Sequence, residues 1–397
     1  MKKFILSFVT ILLLSACERP SLTAPVQASA KVELSDIANH WSADNVKAAV
    51  QKGYVDGYED HTFRPDLSVS RAEFIKMAVS ALKLQPTGTG EVWYSGYVKA
   101  AVEAGFHRYE DFTTGNMDTP ISRQEMARIV IRAADKEQQK EIDDKKLVYE
   151  VVKKGLIQGL SGGELGLDQS TTRAQSVTVI ERILTTKAGG TLEVDKHALS
   201  RAEINWHKTN IFSMLPQYFS KAEQGKEWDP NNMFVDTPDG KYRSELDAVI
   251  VINLEDPNDP YLSLLPDLSQ VKWYSLRDDL RGNPIGFPIT DYMKSYVLYF
   301  QGRQVYNKDD SMYGDKKGVS FTVAGPVSPD RKAFSQGSLN TVGSIYVDRD
   351  GDIPAFIIPK GLKTIGYFGI SIYAPARAPN PNYLKTLIRG LQPEFQK

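Results

Sequence analysis

The chain has 397 residues, of which 41% are hydrophobic and 24% charged, enough apolar material for two or more folded domains and a composition that excludes general disorder. Its 48 basic and 49 acidic side chains leave a net charge of -1, so no extended positive field recommends nucleic acid as a partner. A single cysteine, Cys17, excludes disulfides, a thiolate metal cluster and a nucleophilic cysteine in the folded domains.

The N-terminus reads MKKFILSFVTILLLSAC: two lysines, an apolar run from Phe4 to Leu14, then Leu14-Ser15-Ala16-Cys17. As a helix that run is about 16 Å long, against roughly 30 Å of bilayer hydrocarbon, so it reads as a processing signal and not a membrane span. It resembles a bacterial lipoprotein signal, which implies cleavage after residue 16 and diacylglycerol on the Cys17 thiol. Residues 17–33 lack periodicity and are rich in small residues and Pro, as in a flexible tether. Its sixteen residues from Glu18 to Glu33 reach at most roughly 55 Å when extended.

A repeat follows. AAVQKGYVDGYED at Gly53, AAVEAGFHRYED at Gly105 and EVVKKGLIQGLSG at Gly155 align at offsets of 52 and 50 residues. Val46, Ala49 and Val50 match Val98, Ala101 and Val102, and match Val148, Val151 and Val152, the spacing of one buried helix face ended by a Gly stop. Eighteen residues after each glycine stands an arginine, Arg71, Arg123 or Arg173, and five residues before each arginine an aspartate, Asp66, Asp118 or Asp168.

Each arginine sits in a capping-box frame, Ser70 to Glu73, Ser122 to Glu125 and Thr172 to Gln175, which predicts a capped helix after it. The stripes Phe74, Ile75, Ala78, Val79 and Leu82, then Met126, Val130, Ile131 and Ala134, then Val177, Ile180 and Leu184 supply its buried face. No unit of this size buries much alone, so the three are expected to pack together. The capping box does not explain the arginine, a cation in the first turn, where the helix dipole disfavours it by about 0.3–1 kcal/mol. Free amide hydrogens at the helix start together with a guanidinium would suit an anion. An inter-repeat salt bridge to Asp66, Asp118 or Asp168 would serve the charge equally well.

With these residues on the page, the stretch from Glu33 to Leu82 resembles an S-layer homology module. It carries Ser35-Asp36, His40-Trp41, the paired glycines Gly53 and Gly57, Phe63 to Asp66, and the box at Ser70 to Glu73. The resemblance implies three modules, 34–84, 85–136 and 137–188, arranged as an all-α pseudo-threefold trimer with the capped helices central and ligand grooves between neighbours. It also implies non-covalent attachment to a secondary cell-wall polysaccharide, commonly pyruvylated, with the box arginine on the carboxylate. Carried over, Arg71, Gly57, Trp41 and Asp36 form the first candidate site, with Arg123 and Trp93 and then Arg173 and Gly159 as candidates in the weaker copies. Tyr109 stands where the second repeat should have its second glycine and Gly88 where it should have the aspartate; Asp143 replaces the third tryptophan and Gln175 the third glutamate.

A second SRAE, at Ser200 to Glu203, lacks the frame: Ile183 and Lys196 stand where glycine and aspartate should be. It predicts a plain capping box that opens a helix through Ile204, Ile211 and Leu215, ended or kinked at Pro216, with Gly189 and Gly190 at the domain boundary. Residues 200–397 carry strand patterns at 247–254, 295–300, 319–324, 343–347, 354–358 and 366–373, and a short closing helix is expected near Tyr383 to Leu391. The class is α+β multidomain, with a mainly antiparallel C-terminal half. That half lacks H-E-x-x-H and G-x-S-x-G, and no cofactor is implied. Asp348 to Asp352 reads as a D-G hairpin turn more readily than as a calcium loop, and Trp206, Trp228 and Trp273 read as core before they read as a sugar platform.

The expected protein is a non-enzymatic cell-envelope lipoprotein of a monoderm bacterium. Lipid on Cys17 and an anionic wall polymer would hold it while it displays its C-terminal domain. The alternatives are a wall-glycan enzyme targeted by the modules, and an outer-membrane protein gripping peptidoglycan.

Overall fold

The computed structural model describes residues 34–88, 90–140, 143–222, 227–274, 286–314, 317–347 and 351–391. The leader, Cys17 and the tether lie outside the described residues, as does the 348–350 part of the expected hairpin turn.

Each repeat is a short helix, a loop and a capped helix: α1 (Ala43–Gln51) and α2 (Arg71–Ala81), α3 (Ser95–Glu103) and α4 (Arg123–Ala134), α5 (Asp144–Lys153) and α6 (Arg173–Lys187). The short helices stop at Gly53, Gly105 and Gly155, whose φ values of 72°, 80° and 70° a side chain would resist. All three longer helices start with complete capping boxes in which the hydroxyl accepts the N3 amide and Glu73, Glu125 or Gln175 accepts the cap amide. Phe74 and Ile75 of α2, Met126, Ile129 and Val130 of α4, and Val177, Ile180 and Ile183 of α6 are buried in one core.

Backbone pairing joins the repeats as well. The Ile121 amide donates to the Val69 carbonyl at 2.9 Å, Val69 to Thr171 at 3.0 Å, and Thr171 to Ile121 at 2.9 Å, a closed ring through all three segments that lead into the capped helices. The same pairing continues into the first turns. The amides of Arg71, Arg123 and Arg173 donate to the carbonyls of Thr119, Gln169 and Leu67, and those of Ala72, Gln124 and Ala174 to Met117, Leu167 and Pro65. The helix-start amides expected to be free for an anion are therefore consumed by the neighbouring repeat, because a buried donor must be paired.

The second SRAE does not open a helix. Asp195 caps α7 (Lys196–His207), and Ser200 to Glu203 lie in its interior, so the expected division at residue 200 cuts through α7. Ala198 and Ala202 pack in the helical core. Ser200 Oγ accepts from Asn210, and Glu203, 0% exposed, accepts the amides of Phe212 and Ser213. Lys208 takes a φ of 58° and stops α7; Ile211 belongs to α8 (Ile211–Met214), and Pro216 opens α9 (Pro216–Phe219).

Beyond α9 the described strands form two antiparallel sheets. The larger contains β2 (Phe234–Asp236), β3 (Tyr242–Asn253), β4 (Val271–Tyr274), β5 (Phe287–Pro288), β6 (Ser295–Asn307), β8 (Gly343–Val347) and β9 (Gly351–Pro359), in the order β2-β3-β6-β9-β8-β4-β5. The smaller contains β1 (Lys221–Ala222), β7 (Ser320–Pro326), β10 (Thr364–Ala374) and β11 (Tyr383–Leu391), in the order β1-β11-β10-β7. Val249 and Val251 of β3 face the smaller sheet with Leu298, Phe356 and Ile370, while Ala248, Ile250 and Ile252 face a second core with Trp273, Ile289 and Phe334. Burial on both faces is why β3 reads as a continuous apolar run. The closing helix expected near Tyr383 to Leu391 is a strand: β11 pairs with β10 from Ala374↔Tyr383 to Tyr367↔Leu391 and buries Leu387 and Ile388, a pairing that overrides local preference.

Candidate functional site

Arg71 is 3% exposed and fully occupied. Its Nε and Nη2 donate to Glu125 of the second repeat, at 3.2 and 2.5 Å, and its Nη1 to the carbonyls of Thr114 and Asn116. Glu125 also accepts the Ser122 amide, so one carboxylate caps α4 and neutralises the neighbour's arginine. The partner is thus a glutamate of the capping box and none of the three aspartates considered; Asp66, Asp118 and Asp168 are exposed.

Arg123 has a different environment. It is 5% exposed, its Nε donates to the Leu165 carbonyl at 2.8 Å and its Nη2 to the Gln158 carbonyl at 2.7 Å, both in the third repeat. Among the described residues no carboxylate pairs with it. The residue corresponding to Glu125 is Gln175, which keeps the cap and lacks the charge. Arg123 and Gln175 line a cavity of about 340 Å³ together with Gln158, Gly159, Ser161, Arg182 and Trp41. Arg182 Nη2 donates to Gln158 Oε1 at 2.8 Å. Burial lowers the pKa of both arginines, and the charge of Arg182 lowers that of Arg123 further.

Trp41 reaches this cavity from the first repeat because α1 lies against α6, with Asn45 donating to Thr178 at 3.2 Å and the Tyr54 hydroxyl to Glu181 at 2.9 Å. At 63% exposure its ring is not core; it presents an apolar face to the groove. Gly159 is required by close packing, since a Cβ there would stand 2.6 Å from the Gly163 backbone. Its amide is held by Asp195 at 3.0 Å.

Arg173 repeats the Arg123 pattern against the first repeat: Nε to the Phe63 carbonyl at 2.9 Å, Nη2 to the Asp56 carbonyl at 3.0 Å, beside the rings of Tyr58 and Phe63. Asp36 fixes that loop by accepting the amides of Phe63 and Arg64, both at 2.7 Å. Gly57, next to Asp56, leaves room for Leu34. Trp93, at the position corresponding to Trp41, is 56% exposed and meets Tyr94 edge to face.

The four residues grouped from the first repeat are therefore dispersed. Arg71 is turned into the second repeat, Gly57 and Asp36 shape the loop that receives Arg173, and Trp41 stands with Arg123 and Gly159. Each groove draws on more than one repeat, which no single-repeat motif reveals. Arg182 was missed. It follows Arg173 by nine residues, two and a half helical turns, so it faces the groove on the other side of α6.

Of the residues so placed, Asp36, Trp41, Gly57 and Arg71 fall within one match to a family model. Residues 33–75 are an S-layer homology domain. Proteins similar to this chain include the cellulosome-anchoring protein of Acetivibrio thermocellus, 32% identical over 85 residues that make up 21% of this chain and 18% of that protein. The S-layer protein sap of Bacillus anthracis is 30% identical over 124 residues, 28% of this chain and 15% of that protein. An amylopullulanase of Thermoanaerobacterium thermosulfurigenes is 26% identical over 174 residues, 38% of this chain and 9% of that enzyme. The chain thus spans less than a fifth of the length of these curated relatives. The S-layer homology domain supplies Trp41, Asp36, Gly57 and Arg71, and the residues that complete the grooves come from the repeats after it.

In the sheet region Trp273 is fully buried, Trp228 donates to the His207 carbonyl at 2.8 Å, and Trp206 packs on the helical core, so these rings form no common platform. Among the described residues no group of three or more His, Cys, Asp or Glu forms a metal site, and no helix is long and apolar enough to cross a membrane.

Proposed function

We propose that this is a non-enzymatic cell-envelope protein whose three repeats act as S-layer homology modules and grip an anionic, pyruvylated secondary cell-wall polymer. Lipid on Cys17 holds the same chain to the membrane, and the sheet domain is displayed between membrane and wall. The observation that carries the reading is the buried Arg123 guanidinium, without a carboxylate among the described residues, beside the exposed Trp41 ring in a cavity of saccharide size. Arg173 offers a second guanidinium held by backbone carbonyls, against the first repeat. Anchoring and S-layer proteins among the similar sequences agree with attachment at the cell surface.

Magnitudes favour several points of attachment. One charge-assisted hydrogen bond contributes about 1.5–3 kcal/mol, and about 4 kcal/mol corresponds to only millimolar affinity. Stacking on Trp41, a second groove and tethering by lipid add to it, the last by raising the effective concentration of polymer.

The test is co-sedimentation of the full chain with purified cell walls, before and after chemical removal of their acidic substituents, with Arg123→Gln alongside. The unaltered chain pellets with untreated walls and stays in solution with stripped ones, and Arg123→Gln weakens pelleting at least about tenfold. Sedimentation indifferent to both treatments overturns the reading. Incorporation of labelled fatty acid that disappears in Cys17→Ser tests the lipid.

A further inference from the structure

The second and third repeats differ by a constant offset of 50 residues, so their grooves can be compared position by position. At the boundary of the first and second repeats two buried acids of the second repeat neutralise two buried arginines, one from each repeat. Glu125 pairs with Arg71 at 2.5 Å, and Asp111, 4% exposed, with Arg132, also 4% exposed, at 2.5 Å. At the next boundary an arginine pair is retained as Arg123 of the second repeat and Arg182 of the third, while both acids are gone: Gln175 replaces Glu125 and Ser161 replaces Asp111. All four of these residues line the same cavity.

Arg123 is buried and Arg182 half-buried beside it, and like charges held this close with little water are ordinarily accompanied by counter-charge. Here the two guanidiniums are held toward one another by a single residue, Arg123 on the carbonyl oxygen of Gln158 and Arg182 on its side-chain oxygen. Neutral oxygens position the cations and leave their charge uncompensated; burial lowers both pKa values accordingly. The corresponding site one repeat earlier shows what completes such a pair, namely two carboxylates.

We infer that the Arg123–Arg182 groove takes a saccharide segment bearing two acidic groups, which occupy the places held by Glu125 and Asp111 in the preceding repeat, and that Arg182 selects for the second of them. This rests on the reading of the groove given above and adds a specificity-determining residue to it. Trp41 takes the sugar face between the acids, and the neutral hydrogen-bonding side chains of Ser161 and Gln175 contact the ligand without repelling it.

The probes are two synthetic disaccharides that differ by one carboxylate: a pyruvylated N-acetylhexosamine linked to a neutral hexose, and the same unit linked to the corresponding hexuronic acid. Binding to the full chain is measured by calorimetry at low ionic strength. The diacid binds at least about tenfold more tightly than the monoacid, Arg182→Gln reduces this preference to within about twofold, and Arg182→Lys keeps part of it. The unfolding midpoint of each variant, compared with the unaltered chain, shows that the groove is still formed. Equal binding of the two disaccharides by the unaltered chain, or a preference that survives Arg182→Gln, overturns the inference while Arg123-dependent binding leaves the anchoring reading standing. Binding of neither disaccharide overturns both.

Discussion

Arg71 of the first repeat and Glu125 of the second form a buried, two-point ion pair that crosses the repeat boundary, with side chains only 4% and 7% exposed. The arginine that most resembles a ligand residue in sequence is therefore held by a carboxylate of the neighbouring repeat. Arg71→Ala leaves a buried, unpaired carboxylate and lowers stability by about 3–5 kcal/mol in denaturant unfolding. Arg71→Met combined with Glu125→Leu costs much less, because both charges leave together.

Gln175 offers the converse change. Gln175→Glu keeps the capping bond to the Thr172 amide and restores the carboxylate that Arg71 enjoys one repeat earlier. The new charge pairs with Arg123 and excludes an external anion from the groove. Wall binding falls at least about tenfold while the unfolding midpoint stays level or rises, an opposition of readouts that simple misfolding does not produce.

Gly159 has neither a charge nor an unusual φ, and its role is steric. In Gly159→Ala the new methyl carbon meets the Gly163 backbone at 2.6 Å, so the loop that carries Gln158 must shift. The expected cost is about 1–3 kcal/mol of stability, with loss of wall binding because Gln158 positions both arginines. Gly53→Ala, strained only by its φ of 72° with open space around it, lowers stability without touching groove affinity.

Glu203 links the two halves of the chain and titrates near neutrality. Burial pushes its pKa up to about 7, against the opposing amides of Phe212 and Ser213. The folded state therefore holds a proton that the unfolded state releases near the ordinary value of 4.5, and the contribution to stability falls as pH rises from about 4.5 to 7. Unfolding midpoints measured across that window decline with pH more steeply in the unaltered chain than in Glu203→Gln.

Much of the helical half was legible because its rules are local. A glycine forced to positive φ ends each short helix, and a hydroxyl three residues before Glu or Gln starts each long one. The same local rule misled at Ser200 to Glu203, where Asp195 had already capped the helix and the box residues went to tertiary tasks. Tyr383 to Leu391 failed likewise, since its conformation is set by pairing with β10 and not by its own spacing.

By itself the sequence determined the repetition, the element boundaries within each repeat, the arginine in each first turn and the match of residues 33–75 to the S-layer homology domain. Only the tertiary structure decided which arginine meets a carboxylate and which meets backbone carbonyls alone. Amides that look open at a helix start are closed by the next repeat, and the charge on an arginine is answered, or left unanswered, by a side chain about fifty residues away. Local backbone geometry depends on neighbours in the chain, whereas the compensation of a buried charge depends on neighbours in space, and the folding of the repeats against one another is what supplies those.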